Sequence, residues 1–149
     1  MQSKVIVITG SSSGVGLTLA NYFHDKGYTV YGLSRTAKGQ EKFKHIATDV
    51  SDKENVQRTF QQIFSETNNH IDVLINNAGI GMLGAVEDAS KTDIEKLLDV
   101  NVYGTIYTMQ EVLPKMRTQK NGYILNVSSI ASNNGLPFRG YYSASKAMI

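Results

Sequence analysis

Near the end of this chain, in "GYYSASKAMI", two tyrosines precede a lysine. Residues four apart on a helix share a face, one turn apart. Tyr142 stands four before Lys146, whereas Tyr141 stands five before it and points elsewhere, to line a pocket or to pack. A free phenol titrates near 10 and is a poor proton donor or base at neutral pH. Bringing such a group to about 7 needs roughly 4 kcal/mol at ~1.36 kcal/mol per unit. One cation about 4 Å away at an effective dielectric near 20 contributes about that much. The chemistry open to the pair is therefore proton transfer, with Tyr142 as acid or base and Lys146 as the charge that activates it.

At the other end, "TGSSSGVG" (9–16) sets Gly10, Gly14 and Gly16 in a turn that leads from an apolar run into a helical stretch. Such a turn gathers the backbone N–H groups of Ser12, Ser13, Gly14, Val15 and Gly16 at the positive end of a helix. That is an anion site suited to a pyrophosphate. The spacing is G-x-x-x-G-x-G rather than G-x-G-x-x-G, and glycines at a tight strand-to-helix turn can also serve structure alone.

Both groups depend on the elements that carry them. "KVIVIT" (4–9) reads as a buried strand, "YTVYGLS" (28–34) as a second, "KFKHIAT" (42–48) as a weaker third, "IDVLIN" (71–76) as a fourth and "GYILNVSS" (122–129) as a fifth. Between them lie helical patterns. "VGLTLANYFHDKG" (15–27) has a stripe of Leu17, Leu19, Ala20 and Phe23 and a stop at Gly27. A second helix opens on a Ser51-x-x-Glu54 capping box and buries Val56, Phe60, Ile63 and Phe64. A long third, 92–116, opens on Thr92-x-x-Glu95, and Pro114 should kink or end it. A last helix starts near Tyr142. Strict strand–helix alternation predicts an α/β fold, a three-layer doubly wound parallel sheet, in one domain over 1–149.

Composition agrees. Of 149 residues, 41% are apolar and 19% charged, as in an ordinary soluble protein. A net charge of +2 argues for neither nucleic acid nor a membrane surface. The absence of cysteine excludes thiolate catalysis and cysteine metal sites and is compatible with the cytoplasm. The opening "MQSKVIVITGS" lacks the apolar core of a signal peptide, and no stretch is long enough to span a membrane. His24, His45 and His70 show no ligand spacing, so no metal is expected, and Lys38, Lys42 and Lys44 read as a solvated face.

Five motifs follow one another: "TGSSSGVG" (9–16), "NNAG" (76–79), "DVNVYG" (99–104), "NVSS" (126–129) and "YSASK" (142–146). Together, over essentially the whole chain, they resemble the short-chain dehydrogenase/reductase superfamily, in its NAD(P)-dependent oxidoreductase branch. Members of that family are longer, so the resemblance covers their first part and the chain looks truncated after the tyrosine–lysine motif. It implies a Rossmann fold with strand order 3-2-1-4-5 and a cofactor across the carboxyl edge of the sheet. It implies that Asn77, Ala78 and Gly79 line the adenosine side and that Asp49, with Val50 beside it, meets the adenine. By the same resemblance Tyr142 and Lys146 also touch the cofactor. Ser129, thirteen residues before Tyr142, is the second donor to the reacting oxygen, and Asn101 holds a water in a proton relay beyond the lysine. The implied reaction moves a hydride between nicotinamide and a carbonyl or secondary alcohol, with Tyr142 supplying the proton.

An acid near the end of strand two reads the ribose 2′-hydroxyl of NAD, and a nearby base accommodates the 2′-phosphate of NADP. Here Ser34 stands in the acid's place and Arg35 follows, which favours NADP over NAD; the alternative is a solvated loop arginine. The expected partner is a small carbonyl or alcohol substrate, and the expected assembly, at full length, a homodimer or homotetramer. The competing reading is a non-catalytic dinucleotide-binding fragment that lacks the substrate-binding part.

Overall fold

The computed structural model describes residues 3–39 and 41–149. Five strands, β1 (Val5–Thr9), β2 (Thr29–Ser34), β3 (Lys44–Ala47), β4 (Val73–Asn76) and β5 (Tyr123–Asn126), form one sheet in the order β3-β2-β1-β4-β5. Every pairing is parallel, and the centre is in register through Val7 against Tyr31 on one side and Leu74 on the other. The expected doubly wound α/β sheet and its strand order are present.

A central parallel strand has no polar face, and β1 shows why its run is continuous. Val5 and Val7 pack with Leu33, Phe60, Ile63, Leu74 and Val112 on one side of the sheet. Ile6 and Ile8 pack with Ala20, Val30, Phe43 and Ile75 on the other. Helices α2 (Lys53–Glu66) and α4 (Gly104–Gln119) cover the first face, and α1 (Gly14–Asp25) covers the second. Gly27, at φ 84°, ends α1 as expected: its N–H and that of Tyr28 return to the carbonyls of His24 and Phe23.

Several boundaries differ from the sequence reading. Helix α2 is capped by Asp52, which accepts from the Asn55 N–H at 2.9 Å, because the Ser51 hydroxyl is already bonded to Asp49. Helix α3 (Lys91–Leu98) is capped by Ser90, which accepts from the Asp93 N–H and donates to the Asp93 carboxylate, so Thr92 lies within the first turn. The single helix expected over 92–116 is two, α3 and α4, joined by a π-helical turn at Asp99–Tyr103. Pro114 lies inside α4 without ending it. The carbonyl it cannot serve is that of Gln110, on the exposed side where water can bond it, while Val112 and Met116 anchor the turn in the core. Helix α5 (Gly140–Ala147) begins two residues earlier than expected. Lys42 and Lys44 are exposed as expected but paired, with Asp25 and Glu66. His45 bonds Ser34.

Candidate active site

The carboxyl ends of β1, β2, β3 and β4 open on a cavity of about 460 Å³. Its wall includes Gly10, Ser12, Ser13, Ser34, Arg35, Asp49, Val50, Asn77, Ala78 and Gly79, ten of the residues expected to hold a cofactor. The crevice follows from the topology: β1 feeds α1 on one face while β4 leads to the other side, so the connections part above the sheet. Helix α1 starts at Ser13 with no side-chain cap and no acid in its first turn, so the N–H groups there stay available to an anion. Gly16 does not line the cavity; it lets the helix meet the turn, since a Cβ there would stand 2.3 Å from the Gly10 carbonyl oxygen. Gly14 and Val15 also lie outside the wall, and Val15 is exposed.

The "NNAG" turn is bound to β1 rather than merely closing β4. The Thr9 hydroxyl accepts from the N–H groups of Asn77 and Ala78, both at 3.0 Å, and the Asn77 amide donates to the carbonyls of Thr9 and Gly10. At the end of β2 the Ser34 hydroxyl is engaged with His45 at 2.8 Å and with the Thr36 carbonyl. Arg35 and Lys38 both reach the cavity wall from this corner, and Lys96 contributes a third cation. The wall's one carboxylate, Asp49, accepts from the N–H and hydroxyl of Ser51.

Behind this cavity the C-terminal motif assembles. Lys146 is buried, and its Nζ donates to the Val127 carbonyl at 2.9 Å. Burial disfavours the charged ammonium and holds it below the usual lysine range. A Cβ on Gly79 would lie 3.2 Å from this Nζ and 3.3 Å from Asn101 Oδ1, so Gly79 is where cavity wall and buried lysine meet. Asn101, with no exposed surface, has partners at both ends of its amide: Oδ1 accepts from the Ile80 N–H at 2.8 Å, and Nδ2 donates to the Ile80 carbonyl and to Ser145 Oγ, each at 3.0 Å. The π turn supplies the extra residue that tucks this amide inward. The Asn101–Ser145 bond ties α5 to the turn, and Ser145 in turn donates to the Tyr142 carbonyl within α5 at 2.7 Å.

Ser129 caps a short 3-10 turn over Ile130–Ser132, accepting from the Ala131 N–H and donating to no group among the described residues, while Ser128 is committed to the Lys146 carbonyl at 2.7 Å. Tyr141 donates to the Val86 carbonyl at 3.3 Å and so packs against the 80–88 loop. Sequence reasoning passed over Lys96, Ser145 and the anchoring role of Thr9, and it read Lys38 as part of a solvated face, whereas Lys38 lies on the cavity wall. Thr9, inside "TGSSSGVG", and Ser145, inside "YSASK", lay in motifs that marked the site, whereas Lys38 and Lys96 are joined to it by contacts across the fold.

The family model for short chain dehydrogenase matches residues 4–149, and the chain belongs to that family. Over 147 residues it is 40% identical to a 3-ketodihydrosphingosine reductase of Bacteroides thetaiotaomicron, covering 98% of this chain and 54% of that protein. Among solved structures it is similar to ElxO with NADP bound, at TM-score 0.90 and 30% identity, covering 99% of this chain and 64% of that one. It is similar also to a 4-hydroxyisoleucine dehydrogenase complexed with NADH, at TM-score 0.90 and 31% identity over 97% of this chain and 64% of that one. The chain thus spans about half the length of the first curated relative it matches. No described helix is long and apolar enough to cross a membrane.

Proposed function

We propose that this chain is the dinucleotide-binding part of an NADP-dependent carbonyl reductase or alcohol dehydrogenase. The observation that carries the reading is the meeting of two sets of groups at Gly79: an anion-binding cavity on one side and a buried lysine, one helical turn from Tyr142, on the other. The cavity fits a nicotinamide dinucleotide. Its glycine turn and the start of α1 suit a pyrophosphate, and Asp49 and Asn77 lie where the adenosine would rest. Arg35 and Lys38 on the cavity wall, with Ser34 rather than an acid at the end of β2 and tied to His45, suit a 2′-phosphate better than a free 2′-hydroxyl. Relatives of this fold are known with either NADP or NADH bound.

When bound, the reduced nicotinamide supplies a hydride to a carbonyl carbon. The protein's own part is the proton and the developing charge. Tyr142, whose hydroxyl bonds no protein group among the described residues, donates its proton to the carbonyl oxygen. Ser129, which donates to no group among the described residues, is the second donor to that oxygen. Lys146 stands as the cation that favours the phenolate, and Asn101 and Ser145 hold α5 in register. The reading extends to a small-molecule carbonyl or alcohol substrate, a cytoplasmic location and a homodimer or homotetramer.

The test is Tyr142→Phe in the intact natural protein. Removal of the phenolic proton should lower turnover with NADPH and a carbonyl panel by about 100-fold or more, with cofactor affinity nearly unchanged. Unaltered turnover would remove Tyr142 from the mechanism.

A further inference from the structure

Beside Tyr142 lies a cation for which the reductase reading has no use. Arg139, the residue before α5, is half-buried, and its guanidinium carbon stands 5.6 Å from the centre of the Tyr142 ring. One of its terminal nitrogens lies 3.6 Å from where Gly81 would carry a Cβ, so the group sits between the tyrosine and the loop after β4. Among the described residues it has no carboxylate partner and no side-chain hydrogen bond. A half-buried guanidinium loses part of its hydration, and its planar fork is matched best by a carboxylate.

The surroundings hold it in place and give it an apolar border. The 80–88 loop and the 133–139 loop are joined by the Gly84 N–H donating to the Phe138 carbonyl at 2.9 Å and by the Tyr141 hydroxyl on the Val86 carbonyl. Phe138 adopts φ 59°, a left-handed conformation costly for a phenylalanine, and it is exposed, as are Leu83, Val86 and Leu136.

Building on the reductase reading, we propose that Arg139 is a substrate-specificity residue that binds a carboxylate on the substrate close to the carbonyl reduced at Tyr142. The substrate class is then an oxo acid (or, in reverse, a hydroxy acid), with its carbon chain against Leu83, Val86 and Phe138. The redox step is unchanged: hydride to the carbonyl carbon, proton from Tyr142 to the oxygen. The carboxylate takes no part in bond making.

The experiment compares 2-, 3- and 4-oxo acids, each with its methyl ester, by NADPH oxidation in the intact natural protein, in Arg139→Gln and in Arg139→Lys. For at least one chain length the acid should exceed its ester in kcat/KM by about tenfold or more. Arg139→Gln should erase that preference, mainly through KM, and leave the ester as it was, while Arg139→Lys keeps part of it. Equal loss on acid and ester would show that Arg139 acts on Tyr142 or on folding, and would overturn the proposal. Esters reduced as well as acids by the unaltered protein would also overturn it and leave the reductase reading standing. Failure to reduce any acid, ester or unrelated ketone would sink both.

Discussion

At the scale of single residues, each candidate is defined by what holds it. Arg35 and Lys38 approach the cavity from the end of β2, and Ser34 cannot repel a phosphate. Arg35→Ala should therefore weaken NADPH binding by roughly tenfold or more, as expected for a lost charge-assisted hydrogen bond, and NADH binding far less. Cofactor fluorescence titrations check this, and equal losses would reject the NADP assignment. Tyr141→Phe removes only a 3.3 Å bond to Val86 and should be mild. Lys146 makes a pH prediction. Its native value is lowered, so between that value and the usual 10.5 the unfolded chain holds the proton more tightly than the folded one. Stability at this site then rises with pH across that window. Relative to Lys146→Met, the unaltered protein should gain stability from neutral pH towards alkaline pH in denaturant titrations. A gap that widened in favour of the methionine variant would contradict the sign.

At the scale of elements, the caps separate sequence pattern from observed bonding. Both sequence patterns named a residue one or two positions from the true cap, since Ser, Thr and Asp crowd each helix start. Asp52→Ala and Ser90→Ala should each cost about 1 kcal/mol, whereas Thr92→Ala should cost only a few tenths. Thermal melts of the three variants decide it, and a larger loss for Thr92 would restore the pattern-based boundary. The π turn is the other element that only contacts reveal. "DVNVYG" marks Asn101 as an amide in an apolar run, needing partners if buried. The need was legible, but the partners were not, because Ile80 lies 21 residues and Ser145 44 residues away along the chain.

At the scale of the whole molecule, β5 is the edge of the sheet. Ile124 packs on the core of α2 and α4, but Tyr123 and Leu125 on the opposite side are 66% and 54% exposed. A parallel sheet is ordinarily covered on both faces, and a bare apolar edge strand invites association. Residues 1–149 expressed alone should be poorly soluble or loosely folded and without reductase turnover, and Leu125→Lys should raise the soluble fraction. Size-exclusion chromatography and calorimetry test this. A monomer that melts cooperatively and reduces carbonyls with NADPH would overturn it.

The sequence by itself determined the alternation of strands and helices and, through the resemblance of five ordered motifs, the strand order, and it sets Tyr142 rather than Tyr141 four residues before Lys146. The alternation and the tyrosine–lysine pair are written in local spacing, a period of two or 3.6 and an i, i+4 pair, whereas the strand order was what the family resemblance implied. Tertiary structure alone decided that Lys146 is buried against Val127, that Gly79 is the meeting point of cavity and lysine, and that Arg139 stands over the Tyr142 ring. It also decided that Pro114 stays within a helix. These depend on which distant groups are brought within a few ångströms, and on how much water the packing removes. Local spacing carries neither, because burial and partnership are properties of the folded chain and not of its neighbours in sequence.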